Sequence, residues 1–223
     1  MSNLLDRRAA QKARTRATIK AVAHEMFAAR GFEATPIVDI AAAAGVSVQT
    51  VFNHFASKEE LFFADRAEWV EAPANAVRTR APGVTPTTAL RTRLVRTVED
   101  YIRATADPQV RRMIELLEST PSLLAFERSL HEEAVALLAA ELRTAMEPTQ
   151  PVPGAAPSVL PDITAAVWMA CVRSVVLGLR SSGPSAADED TVRAAVALTD
   201  RVLGEMQNSL FAATPAPPVS QAS

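Results

Sequence analysis

The sequence predicts an all-α protein, and three observations support this fold class. Alanine and arginine are abundant, and both residues favour helix. Long alternating runs of β-branched residues, which would indicate strands, are absent. Several segments instead place apolar residues three and four positions apart, which is the period of an amphipathic helix. We therefore expect about nine helices, arranged as a three-helix N-terminal head and a helical C-terminal body.

The head is predicted to follow a flexible basic arm at residues 1–12. An amphipathic helix is expected over residues 13–30, and Gly31 ends it. The apolar face of this helix is formed by residues at helical spacing, namely Ile19, Val22, Ala23, Met26 and Phe27. The first helix can therefore cover the two short helices that follow it.

Two short helices are predicted on either side of Gly45. The first begins near Ile37, and the second extends from about Ser47 to His54. Gly45 can adopt a positive φ at little cost, so the two helices can meet at a steep angle. Ala41 is small enough to allow a close crossing. This pattern is typical of a helix-turn-helix, whose second helix can enter a DNA major groove.

The body is predicted to begin with a helix that Ser57 caps, with Glu60 completing a capping box. We expect this helix to run to about Glu71, and residues 72–86 to form a loop or a frayed continuation. Asp107 is the predicted N-cap of a helix that starts at Pro108. The other helices are expected over residues 87–105, 121–146, 162–180 and 188–212. Five prolines interrupt residues 147–161, and residues 213–223 are expected to be disordered.

The charge of the chain is distributed unevenly. Residues 1–58 hold eight basic and four acidic residues, whereas residues 59–223 hold 15 basic and 21 acidic ones. A basic end on an acidic body suits a polyanionic partner that binds at one end only. Basic N-terminal arms also serve solubility, but the helix-turn-helix pattern favours DNA as the partner.

An enzyme, a secreted protein and a membrane protein are all disfavoured. The three histidines lie in different predicted helices, and no glycine-rich phosphate loop is present, so we expect no catalytic residues, no metal and no cofactor. Cys171 is the only cysteine, which excludes an internal disulfide and favours the cytoplasm. The N-terminus lacks the apolar core of a signal peptide. The most apolar stretch, residues 163–179, contains Arg173 and is short for a membrane span.

Residues 14–61 hold a recognisable pattern around the predicted helix-turn-helix. The residues of this pattern are Ile19, Ala23, Phe27, Gly31, Phe32, Thr35, Asp39, Ile40, Ala41, Ala44, Gly45, Val46, Ser47, Val51, Phe52, His54, Phe55, Ser57, Lys58, Glu59 and Leu61. The pattern resembles the TetR family of bacterial transcriptional repressors. The resemblance implies a helix-turn-helix domain at residues 13–58 and a ligand-binding and dimerisation domain at residues 59–212. It further implies a homodimer that binds a palindromic DNA operator and is released by a small-molecule effector.

The recognition helix presents Ser47, Val48, Gln49 and Thr50 at its N-terminal end. Gln49 is the best candidate base reader, because an amide can donate and accept at an adenine edge. Val48 and the methyl group of Thr50 can meet thymine methyl groups. The alternative is that Gln49 is an ordinary solvated surface residue.

Phosphate contacts are expected around the recognition helix. Lys58 and His54 are candidates together with Thr50, and Lys58 also lies at a helix start. His54 is alternatively a partly buried packing residue. The remaining candidates on the DNA surface are Arg14, Arg16, Thr35 and Phe52, of which Phe52 lacks the hydroxyl group of the tyrosine often found in the family.

The last two predicted helices suggest a dimer interface. The final helix has an apolar seam, and the preceding helix is apolar nearly all round, so one protomer cannot easily cover both. Burial of the seam within one protomer is the alternative. The predicted interface residues are Val167, Ser174, Leu177, Val192, Val196, Thr199, Leu203, Met206 and Leu210.

The predicted effector pocket lies in the body, although no motif identifies its ligand. A loose similarity of the C-terminal part to TetR-like regulators of the acyl-coenzyme A-binding, mycofactocin-associated kind suggests a hydrophobic or acyl molecule. Arg173 either anchors an anionic ligand or pairs with a carboxylate. A helix-turn-helix adaptor or architectural DNA binder without an effector is the rival interpretation. The candidate lining residues are Trp69, Leu94, Val98, Tyr101, Met113, Leu117, Phe126, Leu130, Trp168, Val172 and Arg173.

Overall fold

The structure, a computed structural model, describes residues 2–146, 159–181 and 188–212. Within these ranges the chain forms ten α-helices and no strand, which confirms the all-α prediction. The helices are α1 Ser2–Arg30, α2 Ile37–Ala43, α3 Val48–His54, α4 Lys58–Phe62, α5 Arg66–Arg78, α6 Pro86–Ala104, α7 Pro108–Ser119, α8 Pro121–Met146, α9 Leu160–Ser181 and α10 Glu189–Ala212.

The helices divide into two compact units. The first unit contains the residues up to Glu68 together with Ala106–His131, and the second contains Trp69–Thr105 and the residues from Glu132 onward. The first unit is therefore larger than the predicted head, since it includes α4, α7 and the beginning of α8. The predicted tail at residues 213–223 and most of the proline-rich segment lie outside the described residues.

The core of the first unit is aromatic. Phe27, Phe32 and Phe62 contact one another, with ring centroids 5.2–5.9 Å apart. Such pairs contribute roughly 0.5–1.5 kcal/mol each beyond the burial of their area. Residues from α1, α2, α3 and α7 complete this cluster, and Leu123 of α8 is fully buried in it. The short helices of the head are therefore stabilised by tertiary packing, because helices of this length are marginal alone.

One predicted boundary in the head is wrong. Residues 2–12 are not an irregular arm but the first turns of α1, because helix-favouring residues fill them and no glycine or proline interrupts them. The predicted start of α2 near Ile37 is correct, and its N-cap Pro36 makes no side-chain capping bond. Thr35 donates its hydroxyl proton to the carbonyl oxygen of Gly31 at 2.7 Å.

The helix predicted from Ser57 to Glu71 is two helices in the structure. Ser57 does cap α4, and its hydroxyl oxygen accepts from the Glu60 backbone N–H at 3.0 Å. The helix then ends at Phe62, and α5 continues to Arg78 with Pro73 inside it, through part of the predicted loop. A side chain of α1 accounts for the break, because His24 Nε2 lies 3.3 and 3.0 Å from the carbonyl oxygens of Leu61 and Phe62. These carbonyl groups therefore have partners outside α4.

The second unit is built around α6. Its buried face carries Leu90, Leu94, Val98 and Ile102, and α10 and α9 pack against it. Arg91 of α6 forms a bidentate ion pair with Asp200 of α10, and both nitrogen–oxygen distances are 2.7 Å. A Cβ atom at Gly204 would lie 2.9 Å from the guanidinium of Arg91. The glycine thus leaves room for this ion pair on the surface of α10.

Half of the predicted seam of α10 lies in the interior of the second unit, so the assignment of these residues to a dimer interface is wrong. Val192, Thr199 and Leu203 are buried, because they cover the apolar face of α6. The alternative that the sequence left open, burial within one protomer, is the observed arrangement for these three residues. Val196 and Met206 are half-buried, and the side chain of Leu210 lies outside the described residues, so their assignment to the interface stays a prediction.

Helix α9 is the one described helix that is long and apolar enough to cross a membrane by length and composition alone. Thr164, Ala165, Trp168 and Val172 on its inner face are buried within the second unit. A buried core helix passes the same test of length and composition.

Candidate nucleic-acid interface

The turn between α2 and α3 has the geometry that the sequence predicts. Gly45 adopts a φ of 67°, a left-handed conformation in which a side chain would be strained. Its backbone N–H donates to the carbonyl oxygen of Ala42, and that of Val46 donates to Ala41. Ser47 then caps α3, because its hydroxyl oxygen accepts from the backbone N–H of Thr50 at 3.0 Å. The start of α3 is therefore fixed before any partner binds.

The recognition helix α3 has one buried and one exposed face. Val51 is buried and faces the aromatic core, whereas Val48 and Phe52 are 37% and 46% exposed. Gln49 is exposed and donates from Nε2 to Oδ1 of Asn53 at 3.1 Å. Asn53 was not predicted from the sequence, although its position one turn after Gln49 places both amides on one face. The exposed face thus offers two adjacent amides beside apolar side chains.

Thr35 does not belong to this exposed face. Its side chain is fully buried, and its hydroxyl group is bonded to the carbonyl oxygen of Gly31. The assignment of this side chain to the DNA surface is therefore wrong. A threonine beside an apolar core buries its methyl group and satisfies its hydroxyl group locally, and this explains its position.

Arg16 also makes its contacts inside the protein. Nη1 donates to the carbonyl oxygen of His54, the last residue of α3, and Nη2 donates to that of Ala64 at 3.3 Å. The guanidinium carbon lies 4.0 Å from the centroid of the Phe55 ring. The side chain predicted as a phosphate ligand thus joins three parts of the first unit.

The other predicted cations lie near the recognition helix. Arg14 is exposed, and Lys58 is half-buried at the start of α4 with Nζ 4.4 Å from the centroid of the Phe32 ring. His54 is half-buried, and burial lowers its pKa below 6.5, assisted by the positive charges of Lys12 and Arg16. Lys12 of α1 is exposed, and the sequence did not predict that it affects His54.

The residues predicted for the effector pocket fall into both units. Met113 and Leu117 line a cleft of about 400 Å³ in the first unit, where Lys20, His24 and Phe62 also line it. In the same unit Phe126 stacks on Phe63 with a centroid distance of 5.6 Å, and Leu130 is buried.

In the second unit, most of the predicted pocket residues belong to the interior. Leu94, Val98 and Val172 are buried, whereas Trp69 and Arg173 are half-exposed. The hydroxyl oxygen of Tyr101 accepts a hydrogen bond from Arg180 Nε at 3.2 Å. Trp168 is fully buried, and its indole N–H has no hydrogen-bond partner among the described residues.

The described residues contain no group of three or more potential metal-ligating side chains. Cys171 is half-buried in α9, and its burial raises the pKa of the thiol. A raised pKa keeps the thiol protonated, and a protonated thiol is a poor nucleophile.

Among the described helices, α2 and the capped, exposed α3 have the geometry of a helix-turn-helix, a motif that binds DNA. Solved structures share the overall fold. The SmeT–triclosan complex, from the repressor of the Stenotrophomonas maltophilia SmeDEF efflux pump, aligns with 91% of this chain and 98% of its own at a TM-score of 0.56 and 24% identity. NalD, the secondary repressor of the Pseudomonas aeruginosa MexAB-OprM pump, aligns with 86% of this chain and 96% of its own, at a TM-score of 0.54 and 22% identity.

Sequence comparisons match part of the chain to known proteins. Residues 19–64 match the family model of bacterial regulatory proteins of the tetR family. The chain is 35% identical to the transcriptional regulator TcmR of Streptomyces glaucescens over 116 residues. This alignment covers 50% of this chain and 51% of TcmR. It is 44% identical over 57 residues to the repressor KstR2 of Mycobacterium tuberculosis, covering 26% of this chain and 28% of KstR2. The matches thus span about half or less of the length of these relatives.

The match over residues 19–64 confirms the predicted resemblance of the N-terminal domain to the TetR family. The curated relatives are transcriptional regulators, in keeping with the prediction that the chain is not an enzyme.

Proposed function

We propose that the protein is a transcriptional repressor that binds a palindromic operator as a homodimer and releases it when a small molecule binds. The observation that carries this proposal is the recognition helix, because α3 exposes Val48, Gln49 and Phe52 while its other face is held by a buried aromatic core. An exposed apolar pair beside an amide is costly in water and suits the edges of bases in a major groove.

The contacts divide into base readers and phosphate ligands. Gln49 reads a base edge, Val48 contacts a thymine methyl group, and Asn53 orients the Gln49 amide through their hydrogen bond. Ser47 and Thr50, whose hydroxyl oxygens lie 2.8 Å apart at the start of α3, contact the backbone of the duplex, and Phe52 packs against its sugars.

Phosphate binding comes from side chains around α3. Arg14, Lys58 and His54 supply positive charge or N–H donors. Each phosphate neutralised steepens the dependence of log K on log salt by about 0.9.

The dimer is proposed to form through the outer faces of α9 and α10. Ile163, Val167 and Leu177 of α9 and Leu198 of α10 are large apolar side chains that are 40–44% exposed in one protomer. Ser174 is also exposed in this part of α9. A second copy covering these side chains would remove them from water and place two recognition helices on one duplex, about 34–36 Å apart.

The effector is proposed to be a small hydrophobic molecule bound in the second unit. The indole N–H of the fully buried Trp168 has no partner among the described residues, and an unsatisfied buried donor costs about 1–3 kcal/mol. A ligand with a hydrogen-bond acceptor would remove that cost. The structure of SmeT with triclosan is a precedent for an apolar effector in a protein of this fold. Such a protein is expected to act in the cytoplasm.

The proposal is tested by selecting bound duplexes from a random pool with the whole chain. We expect an enriched palindromic site that binds two protomers, as measured by mass photometry or light scattering. Asymmetric sites bound by a single protomer would contradict the dimer, and no enrichment over random DNA would contradict operator binding. Release of the site by apolar compounds, with Trp168→Phe as a control variant, then tests the effector.

A further inference from the structure

We infer that Arg16 positions the recognition helix for DNA and acts through the main chain at the end of α3, not through a phosphate. This inference rests on the proposed DNA-binding function. It concerns a residue outside the helix-turn-helix itself, on the first helix of the unit.

The guanidinium joins the two ends of the segment that carries α4. One nitrogen donates to the carbonyl oxygen of His54, where α3 ends, and the other donates to Ala64 in the turn before α5. Its flat face covers the Phe55 ring at 4.0 Å. His54 is the last residue of α3, where carbonyl oxygens lack intrahelical partners and the helix dipole favours a cation, so the guanidinium suits this place. The end of α3 therefore cannot shift without breaking these contacts.

The next two polar residues on the same face of α1 hold the same turn. Lys20 Nζ lies 2.5 Å from Asp65 Oδ2, and His24 Nε2 contacts the carbonyl oxygens of Leu61 and Phe62. Residues 16, 20 and 24 are one helical turn apart, so together they form one clamp along α1. Arg16 is the member of the clamp that also contacts the recognition helix. It thus transmits the position of the 61–65 segment to α3.

These contacts separate two possible roles of Arg16. A phosphate ligand needs positive charge, and lysine supplies it nearly as well as arginine. A positioning residue needs a planar group that donates to two carbonyl oxygens at once while it stacks on a ring, and lysine cannot do this. The conservative variant Arg16→Lys therefore discriminates between the two roles.

The experiment compares the parent chain, Arg16→Lys and Arg14→Gln on the selected operator and on a random duplex over a range of salt concentrations. For Arg16→Lys we expect operator affinity to fall roughly tenfold to a hundredfold, with unchanged affinity for random DNA and an unchanged salt slope. For Arg14→Gln, an exposed cation on the same helix, we expect both affinities to fall and the slope to decrease by about 0.9.

If Arg16→Lys binds random DNA as the parent does, its DNA-binding unit is folded. The ratio of operator affinity to random affinity, measured well below the melting temperature, would not move if Arg16 served stability alone. Operator binding by Arg16→Lys equal to that of the parent would overturn the inference, as would equal losses on both duplexes. If the parent itself does not discriminate between operator and random DNA, the proposed function fails instead.

Discussion

The recognition helix α3 and the final helix α10 were both assigned from apolar spacing, with opposite outcomes. In α3 the sequence correctly predicted the helix and the glycine turn before it. In α10 it correctly predicted the helix but assigned buried residues to the dimer interface, since Val192, Thr199 and Leu203 are buried within the second unit. The difference arises because glycine and serine fix the geometry of α3 locally, whereas the orientation of α10 depends on α6, about a hundred residues earlier in the chain.

The largest expected effect is loss of the dimer when the outer face of α9 is changed. Leu177→Glu places a charge on the outer face of α9, where Leu177 is 41% exposed. We expect a monomeric chain at micromolar concentration and a fall in operator affinity of about a hundredfold or more, because the two half-sites are no longer bound together. Analytical ultracentrifugation and operator titration measure these changes.

Val84→Glu is the matched control for that variant, since Val84 is also an exposed apolar residue but lies in the loop before α6. It is expected to leave the dimer intact. A dimeric Leu177→Glu chain would show that the outer face of α9 does not mediate assembly.

The inner face of α10 is tested by stability. In the Leu177→Glu background, Leu203→Ala is expected to lower the free energy of unfolding by about 2–5 kcal/mol, because it leaves a cavity beside α6. Leu198→Ala on the outer face of the same helix should change it by less than about 0.5 kcal/mol. Urea unfolding followed by circular dichroism measures both values. Equal losses would contradict the inward orientation of the seam.

The DNA face is tested by Gln49→Ala and Lys58→Ala. Gln49→Ala is expected to cost about 1–3 kcal/mol of operator binding and to relax the preference at one base position. Lys58→Ala should weaken binding to all duplexes and reduce the salt slope by about 0.9. Fluorescence anisotropy with the selected site and single-base variants measures these effects. If both variants bind as the parent does while remaining dimeric, the assigned contacts are wrong.

The smallest predicted effect concerns pH. Burial lowers the pKa of His24 below 6.5, although hydrogen bonds to the Leu61 and Phe62 carbonyl groups oppose the shift. The unfolded chain therefore binds a proton more readily, so the stability from neutral His24 is present above pH 6.5 and is lost as the pH falls. We expect His24→Gln to flatten the acidic side of the stability profile, as measured by urea unfolding between about pH 5 and 7. A parallel profile for the variant would assign the dependence to other groups.

Local chemistry explains which parts of the fold and of the site were predictable. The turn at Gly45 and the caps at Ser57 and Asp107 depend on residues within four positions, and all were predicted correctly. The end of α4 was missed because partners in α1, about 40 residues away, hold its carbonyl groups. Arg16 was wrongly predicted to bind phosphate for a similar reason, because its partners at His54 and Ala64 are also about 40 residues away or more. A basic residue in a basic segment gives no indication of such internal partners.

One feature of the first unit affects how the protein is made. Its aromatic cluster is completed by Leu116 and Leu117 of α7 and Leu123 of α8, although residues 69–105 belong to the other unit. During synthesis on the ribosome, the segment that carries α3 emerges long before these leucines. The nascent head therefore remains partly unburied until more than half of the chain has been translated. We expect a fragment that stops at Glu68 to expose that apolar surface and to aggregate or bind chaperones.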